Sequence, residues 1–500
     1  MPPGKVWLVG AGPGDPGLLT LKGARALAAC EVLVYDYLAS EAIVSLAPPA
    51  CEKIYVGKKA GAHTLSQDDI TALIVKLGRD GKRVVRLKGG DVFVFARGGE
   101  EAQALAEARV PFEIVPGITS AIAAPAYAGI PVTHRAHNTS FTIATGHEDP
   151  AKGRSSLDYA KLANRSATTI FLMAMGNLAG IVAELRAHGL EGDTPVGIVH
   201  EGTKPAQETL VATLDTVIAE VARTGISAPA IVVIGDVVGE RAKIRWFDAQ
   251  PLFGKRVLLT RPVQQADETA MLLWEAGAEP IVAPVIEIVP PADLAAARDA
   301  VARIREYAWV AFTSRNGVDA FFDRLGELGR DARAFGDTRI AAIGPKTAAA
   351  LTARGVRADL LPDTYVNEAI ADALVTQTVP GDRLLVYRAQ DAREVLPEVL
   401  RAAGRAVDVV AAYRTRTIDD PGLAAKAARA DIVTFTSASA IAGFCANVPD
   451  AAETLRTKTV ACIGPVTARA ARDAGIRVDV VAETFTVDGL LDALRAAAPA

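Results

Sequence analysis

The sequence predicts an α/β protein built from several domains. Short β-branched runs such as VWLVG from Val6, VVRLKG from Val84 and VLLTR from Val257 are each followed by a Gly- or Pro-containing turn and an alanine-rich stretch. This alternation is typical of largely parallel sheets covered by helices. A chain of 500 residues is also longer than one hydrophobic core usually supports, so we expect roughly three or four domains.

The composition indicates an ordinary globular protein of the cytoplasm. Apolar residues make up 50% of the chain, and the formal net charge is -4, which gives no basic excess for nucleic acid or an anionic membrane. The 4 cysteines form no C-x-x-C pair and are typical of reduced thiols. The start lacks a signal-peptide pattern, and no apolar run reaches the ~18 residues that span a bilayer. We therefore expect a cytoplasmic protein with no nucleic-acid or membrane partner.

The histidines restrict the chemistry of the second half. All 6 lie at or before His200, which excludes a Ser-His-Asp hydrolase or a histidine-bound metal beyond it. His134 and His137 are closely spaced, but two loop histidines without other clustered ligands are more often structural. We expect no metal.

A connector divides the chain near residue 250. WFDAQPLFG, from Trp246 to Gly254, separates an apolar strand at Ala230 from a new strand that begins at Arg256. We predict one domain over residues 1–247, a linker over 248–254 and a second region over 255–500.

A glycine-rich turn follows the first strand, in VWLVGAGPGDPGLLTLKG from Val6 to Gly23. Its glycines permit a tight turn and a close approach to a ligand. With Asp36 as a ribose acceptor, the turn also fits a nicotinamide oxidoreductase. Pro13 and Pro16 crowd the position where a pyrophosphate would sit. The turn alone leaves both functions open.

Further motifs in the first half favour a methyltransferase. They are RLKGGDVFVFARGGEE from Arg86, VPGITSAIAAPAYAGIPVTHR from Val115, TGH from Thr145, VHEGT from Val199 and APAIVVIGDVV from Ala228. With these motifs in order, residues 5 to about 245 closely resemble the tetrapyrrole (precorrin) methylase family, and within it the uroporphyrinogen-III C-methyltransferases. The resemblance implies a two-lobed fold and a homodimer. It also implies the transfer of two methyl groups from S-adenosylmethionine to uroporphyrinogen III, giving precorrin-2 for sirohaem or cobalamin synthesis.

The resemblance also implies roles for individual residues. Asp36 would be the general base, Lys58 a proton donor or substrate contact, and Arg86 a ligand of a substrate carboxylate. A strand-end cap for Asp36 and a solvated surface position for Lys58 remain open alternatives. Departures from the family pattern are Tyr37, Val92 and Ala96. The implied contacts of the cofactor are Pro13, Gly89, Gly90, Asp91, Val94, Thr119, Ser120, Met175, Gly202 and Ala230.

The second half contains an internal repeat. VAFTSRNGVDAFF from Val310 resembles VTFTSASAIAGFC from Val433, and IAAIGPKTAAALTARG from Ile340 resembles VACIGPVTARAARDAG from Val460. With a weaker match between VLLTR from Val257 and LLVYR from Leu384, three ordered blocks recur about 120 to 127 residues apart. The repeat predicts two similar lobes, either kept for stability or facing a cleft.

Residues 255 to about 497 resemble the uroporphyrinogen-III synthases. The similar segments are VLLTRP, AFTSRNGV, IGPKTA, TYVNE, AAYRT, TFTSASA and IGPVTA. The resemblance implies a duplicated, two-lobed α/β fold with chain crossings near 284–291 and 413–421. The implied reaction is the cyclisation of hydroxymethylbilane to uroporphyrinogen III with inversion of ring D. A tetrapyrrole-binding module without catalysis remains the alternative.

The repeated T-S pairs and G-P-x-T turns are suited to a polycarboxylate. Each begins a helix, where unpaired backbone N–H groups attract anions. Tyr413 is the candidate for assisting departure of the hydroxyl group, and ordinary helix capping is the alternative for the other hydroxyls. The predicted substrate contacts are Arg261, Thr313, Ser314, Thr347, Ser437 and Thr467.

Overall fold

The structure is a computed structural model that describes residues 4–57, 65–147 and 156–498, without the side chains of 263 and 264. It divides into two compact units. The first comprises Met1–Val257, Glu268–Ile281 and Leu491–Ala500, and the second comprises Leu258–Asp267 and Val282–Leu490. The described strands form four five-stranded sheets, which confirms the α/β class. No helix of the described residues is both long and apolar enough to cross a bilayer.

The first sheet is entirely parallel, as the sequence predicts. Its strands are β1 (Lys5–Gly10), β2 (Val32–Tyr35), β3 (Glu52–Tyr55), β4 (Arg83–Lys88) and β5 (Phe112–Val115), in the order β3-β2-β4-β1-β5. The accompanying helices are α1 (Leu21–Ala29), α2 (Glu41–Val44), α3 (Gln67–Arg79) and α4 (Gly98–Glu107). Because the strand order reverses beside β1, a crevice is expected at the carboxyl ends of β1 and β4.

Both faces of the first sheet are buried. Val6 and Leu8 of β1 pack in one cluster with Ile74 of α3, whereas Val9 packs on the opposite face with Leu27 of α1. Alternate side chains of a strand point to opposite faces, so a strand covered on both sides is apolar throughout. This explains why VWLVG has no polar alternation.

The second sheet is mixed, so the prediction of largely parallel sheets is wrong here. Only β6 and β7 are parallel, whereas β10 pairs antiparallel with β7 and β8, and β8 with β9. The connection from β8 to β9 is short. A short connection can join antiparallel strands, whereas parallel strands need a long crossover, usually a helix. The sheet order is β6-β7-β10-β8-β9. The strands are β6 (Phe141–Thr145), β7 (Thr168–Leu172), β8 (Pro195–His200), β9 (Glu208–Thr213) and β10 (Ala230–Ile234), and the helices are α5 (Ser120–Tyr127), α6 (Tyr159–Leu162), α7 (Leu178–Ala187), α8 (Val217–Thr224) and α9 (Arg241–Ile244).

The remaining strands form two more sheets, of orders β12-β11-β18-β19-β20 and β13-β17-β16-β14-β15. The strands are β11 (Arg256–Leu259), β12 (Glu279–Val282), β13 (Ile286–Val289), β14 (Trp309–Phe312), β15 (Arg339–Ala342), β16 (Arg383–Ala389), β17 (Ala406–Thr417), β18 (Ile432–Phe435), β19 (Thr459–Cys462) and β20 (Val480–Val481). The helices are α10 (Val263–Glu275), α11 (Leu294–Ala302), α12 (Arg315–Glu327), α13 (Pro345–Ala353), α14 (Asn367–Gln377), α15 (Val395–Ala402), α16 (Leu423–Arg429), α17 (Ala438–Asn447), α18 (Ala451–Thr454), α19 (Pro465–Asp473) and α20 (Val487–Ala497).

The sequence repeat is also a structural repeat. In one copy β14 leads into α12 and pairs in parallel with β15, which leads into α13. In the other copy β18 leads into α17 and pairs in parallel with β19, which leads into α19. The two copies therefore place equivalent helix N-termini at the carboxyl ends of equivalent strands.

Candidate functional site

A cavity of about 600 Å³ opens at the carboxyl ends of β1 and β4 in the first unit. Three backbone segments form one side of it. Gly12 N donates to Gly90 O (3.1 Å) and Gly90 N to Gly12 O (2.7 Å). A Cβ atom on Gly10 would lie 2.6 Å from the Cα atom of Gly117. The glycines are therefore required in part because these segments contact one another.

The cavity brings together every residue that the sequence predicts to contact a cofactor. These residues come from segments far apart in the chain, including the turn after β1, the turn after β4 and the start of α5. Their roles stay predictions, but their common location is a finding. The lining includes Pro13, Gly89, Gly90, Asp91, Val94, Thr119, Ser120, Met175, Gly202 and Ala230.

Asp91 links two of the loops that line the cavity. Its Oδ1 accepts a hydrogen bond from Phe93 N (2.8 Å), and its Oδ2 accepts one from Gly117 N (2.9 Å). Each carboxylate oxygen has a further lone pair. The cavity thus combines a fixed negative charge with an apolar wall that includes Leu172 and Ile231. Such a site fits a cationic group attached to a flat, largely apolar body.

Buried charges form the polar end of the same cavity. Arg86 Nη2 lies 3.1 Å from Asp36 Oδ2, and Arg86 Nε lies 3.3 Å from Glu101 Oε1. Lys88 Nζ lies 2.8 Å from the same Glu101 oxygen. Desolvation lowers the pKa of Lys88, and the nearby Arg86 charge lowers it further, while Glu101 opposes both effects. Asp36, the predicted base, and Arg86, the residue predicted to bind a substrate carboxylate, are thus hydrogen-bonded to each other.

Several cavity residues were not predicted from the sequence. Lys88, Arg97, Glu201 and Lys204 line the cavity, and Arg97 lies at the N-cap of α4 with a φ of 58°. Lys88 and Arg97 lie within a motif that the sequence singled out, but a motif does not say which charges face inward. The departures Tyr37 and Ala96 also line the cavity, whereas Val92 is buried in the core.

Two further predictions concern histidines and Lys58. Lys58 lies outside the described residues. His134 and His137 are joined by Glu240, with ligand-type atoms within 4.8 Å of one another. Glu240 Oε1 already lies 2.9 Å from His137 Nε2 and 3.0 Å from Lys243 Nζ. His134 Nδ1 accepts a hydrogen bond from Ala136 N (3.2 Å). His137, Glu240 and Lys243 thus form a hydrogen-bonded cluster in which the Glu240 carboxylate is shared.

In the second unit, the structure brings Tyr413 and Ser314 together. Tyr413 lies on β17 with 8% of its surface exposed, and its Oη lies 3.0 Å from Ser314 Oγ. Ser314 is also the N-cap of α12, where its Oγ accepts a hydrogen bond from Gly317 N (3.1 Å). A phenol is therefore held beside a helix N-terminus, where an anion or a leaving hydroxyl group would be stabilised.

The other predicted contacts occupy matching positions in the two repeats. Ser437 caps α17 through Ala440 N (3.1 Å), as Ser314 caps α12. Thr347 and Thr467 lie in the first turns of α13 and α19 and are buried. Thr313 follows β14, and Arg261 follows β11, where its Nη2 donates to Gln265 Oε1 (3.0 Å). Each predicted substrate contact of the second half thus follows the carboxyl end of a strand, whereas Tyr413 lies within β17.

Comparison with known proteins assigns each half separately. A model of the tetrapyrrole (corrin/porphyrin) methylases matches residues 5–218, and a model of uroporphyrinogen-III synthase HemD matches residues 267–492.

This chain aligns with nearly the full length of two relatives. The porphyrin biosynthesis protein HemD of Ruminiclostridium josui is 39% identical over 495 residues, which is 98% of this chain and 97% of the relative. The S-adenosyl-L-methionine-dependent uroporphyrinogen III methyltransferase of Methanosarcina barkeri is 51% identical over 235 residues, which is 47% of this chain and 92% of the relative. A solved structure, the Thermus thermophilus uroporphyrin-III C-methyl transferase with S-adenyl homocysteine, is 38% identical with a TM-score of 0.41, covering 47% of this chain and 99% of that one.

Proposed function

Because the chain belongs to the tetrapyrrole methylases in its first half and to the HemD uroporphyrinogen-III synthases in its second, we propose a two-step sequence of reactions. The chain is a bifunctional enzyme of tetrapyrrole biosynthesis. In the proposed sequence, the second half cyclises hydroxymethylbilane to uroporphyrinogen III, and the first half methylates that product twice to precorrin-2. The observation that best supports this assignment is the single cavity lined by all ten predicted cofactor contacts.

We propose domain limits that follow from this assignment. The methyltransferase would occupy residues 1–247, the linker 248–254 and the synthase 255–500. Within the synthase, the chain would cross between two lobes near 284–291 and 413–421. The antiparallel pairing of β13 with the end of β17, from Ile286 with Thr417 to Val289 with Arg414, supports a paired connection there.

The cavity fits S-adenosylmethionine as the methyl donor. The cofactor supplies an electrophilic methyl group on a sulfonium, and the residues present match its parts. Asp91 gives a fixed negative charge toward the cationic end, while Met175 and Ala230 give an apolar surface for the adenine. Holding donor and acceptor in line supplies most of the rate for such a transfer.

Asp36 and Arg86 would act on the tetrapyrrole. Asp36 lines the cavity and would accept the proton whose loss restores conjugation after methylation. Arg86, bonded to Asp36, would share its charge with a substrate carboxylate. Lys58 is proposed as a proton donor or substrate contact on the family resemblance alone.

For the synthase, Tyr413 would assist departure of the terminal hydroxyl group. The C–O bond of hydroxymethylbilane breaks, the oxygen takes the proton of Tyr413 Oη, and water leaves. Ser314 Oγ, 3.0 Å away, would then donate a hydrogen bond to the phenolate. Ring closure and inversion of ring D would follow through a spiro intermediate, and the proton released when the pyrrole regains its conjugation would return to the phenolate. Carboxylates would be held by the helix N-termini at Thr313, Thr347, Ser437 and Thr467, with Arg261 assisting.

The proposal is tested with the purified full chain and hydroxymethylbilane, with and without S-adenosylmethionine. We expect the III isomer without the donor and a dimethylated tetrapyrrole with it, identified by chromatography and mass spectrometry. If only the spontaneously formed I isomer appears while supplied uroporphyrinogen III is methylated, the second half is a binding module without catalysis. If neither reaction occurs, the proposal is wrong.

We also propose a homodimer through the methyltransferase half and a reaction without metal, both on the family resemblance. Light scattering of the full chain and of residues 1–247 tests the first statement. Unchanged rates after exhaustive chelation test the second, and a chelator-sensitive rate restored by zinc would contradict it.

A further inference from the structure

A fully buried carboxylate lies directly behind the methyltransferase cavity. Glu101, in the first turns of α4, is 0% exposed. Its Oε1 lies 2.8 Å from Lys88 Nζ, 2.9 Å from Gln67 Nε2 and 3.3 Å from Arg86 Nε. Its Oε2 has no hydrogen-bond partner in the part of the chain that the structure describes. Three donors thus converge on one oxygen while the other is left buried and unsatisfied.

This arrangement is costly for stability alone. Removing a carboxylate from water is unfavourable, and an unsatisfied buried oxygen adds to that cost. A carboxylate that served only the fold would gain from using both oxygens. The geometry instead indicates that Glu101 serves to hold the two cations at its Oε1, because both Arg86 and Lys88 line the cavity and Glu101 does not.

The two cations need this partner because of where β4 places them. Arg86 and Lys88 are two positions apart on one strand, so they emerge on the same face. Both are buried, and their like charges repel each other. The charged groups that act on Lys88 include Arg86, Glu101 and Asp36, and Glu100 of the same helix as Glu101 also interacts with it; the uncharged Gln67 lies beside them. In direct contact, Arg86 and Lys88 are paired with Glu101 and Asp36, of which only Asp36 lines the cavity.

We propose that Glu101 is a positioning residue for methyl transfer, acting through Arg86 on Asp36 and keeping Lys88 cationic at the cavity wall. Arg86 is the link, since its Nε contacts Glu101 and its Nη2 contacts Asp36. The guanidinium is planar, so fixing Nε also fixes the direction of Nη2. Lys88, held at 2.8 Å, then presents a fixed positive charge to a carboxylate of the tetrapyrrole. This inference rests on the proposed methyltransferase function.

Replacement of Glu101 separates charge from shape. Glu101→Gln keeps the size and one acceptor oxygen but removes the negative charge, and Glu101→Asp keeps the charge. We expect Glu101→Gln to lower kcat for methylation of uroporphyrinogen III about 10- to 100-fold, because a small misplacement of a positioned group costs that much. The affinity for S-adenosylhomocysteine, measured by calorimetry, should stay within about 2-fold, since the side-chain hydrogen bonds of Glu101 among the described residues go to Gln67, Arg86 and Lys88 and to none of the proposed cofactor contacts.

The pH profile distinguishes positioning from a merely structural role. Without the Glu101 charge, Lys88 loses its proton at a lower pH, so the basic limb of kcat for Glu101→Gln should move to lower pH. Glu101→Asp should restore part of the rate and of the limb. Glu107→Gln, at an exposed position of the same helix, is the matched control and should leave rate and profile unchanged.

Three outcomes would overturn the inference. They are a kcat within about 2-fold of the parent for Glu101→Gln, an unshifted basic limb, or a loss of rate that follows only the loss of folded protein in thermal unfolding. If Glu101→Gln does not fold, Glu101→Asp replaces it in the test. Its shorter side chain cannot reach Arg86 and Lys88 at the parent's distances, so an undiminished rate with the parent's profile would show that the positioning is not needed. Failure of the parent chain itself to methylate uroporphyrinogen III would instead refute the proposed function.

Discussion

Replacing Tyr413 by phenylalanine should remove most of the uroporphyrinogen-III synthase rate and leave the fold intact. The change deletes one hydroxyl group, whose described contact is Ser314 Oγ at 3.0 Å. Ser314 keeps its cap on Gly317 N, so the stability loss is that of one hydrogen bond, about 1 kcal/mol. Loss of a positioned proton donor lowers a rate about 10²- to 10⁴-fold, which corresponds to about 3–5 kcal/mol of activation free energy. The two effects therefore differ enough to be separated.

A second tyrosine provides the matched control. Tyr387 lies on the neighbouring strand β16, is fully buried, and its hydroxyl has no hydrogen-bond partner among the described residues. Burial raises its pKa to about 12. Because Tyr387→Phe removes an unsatisfied buried hydroxyl, we expect unchanged or slightly greater stability and a normal synthase rate.

The assay follows uroporphyrinogen III formed from hydroxymethylbilane without S-adenosylmethionine, beside thermal unfolding of each variant. Tyr413→Phe should yield mainly the spontaneously formed I isomer, while its methylation of supplied uroporphyrinogen III stays normal. A Tyr413→Phe variant with more than half of the parent's rate would refute the role of the phenol. An equal loss of rate in Tyr387→Phe would show that packing, not proton transfer, limits the reaction.

Three further predictions concern the first unit. Asp36→Asn should lower the methylation rate at least about 100-fold with unchanged affinity for S-adenosylhomocysteine, and an unchanged rate would remove Asp36 as the base. Gly10→Ala should destabilise the unit by about 1–3 kcal/mol or more, because its Cβ would lie 2.6 Å from backbone of the adjoining loop. Gly99→Ala, with open space around it among the described residues, should be neutral or stabilising by up to about 1 kcal/mol in denaturant unfolding, and equal effects of the two changes would contradict this reasoning. Hydrogen bonds from Lys22 and Lys5 lower the pKa of Glu113 from 4.5 to about 2. The ionised Glu113 therefore stabilises the folded state fully at a pH above its unfolded-state pKa of 4.5, and this stabilisation is lost as the pH falls toward 2. Glu113→Gln should flatten the dependence of Tm on pH between these two values.

Local chemistry explains why the turns and helix starts that line the cavity could be predicted from the sequence. Gly90 adopts a φ of 69°, which favours glycine, and Thr119 caps α5 through Ala121 N (3.3 Å). Such positions depend on a few consecutive residues, so their motifs record them. The repeat within the second half could be recognised for the same reason, because each T-S pair caps its own helix, as Ser437 does in α17.

Contacts between distant segments could not be predicted in this way. The antiparallel pairing of β10 with β7 and β8 depends on connections that apolar runs do not encode. Whether Glu201 or Lys88 faces a cavity depends on which strands become neighbours. These features correct the expectation of largely parallel sheets and extend the predicted site.

The α/β class and the order of the two enzymes could be predicted from the sequence alone, as could the turns and helix starts at which the predicted contacts lie. Two contacts became visible only in the fold: Arg86 bridges Asp36 and Glu101, and Tyr413 lies beside Ser314, 99 residues away in the chain. The difference lies in how far apart along the chain the interacting residues are. A turn or a cap is fixed by a few neighbouring residues, whereas a buried charge or a paired hydroxyl takes its partner from whichever strand the sheet places next to it.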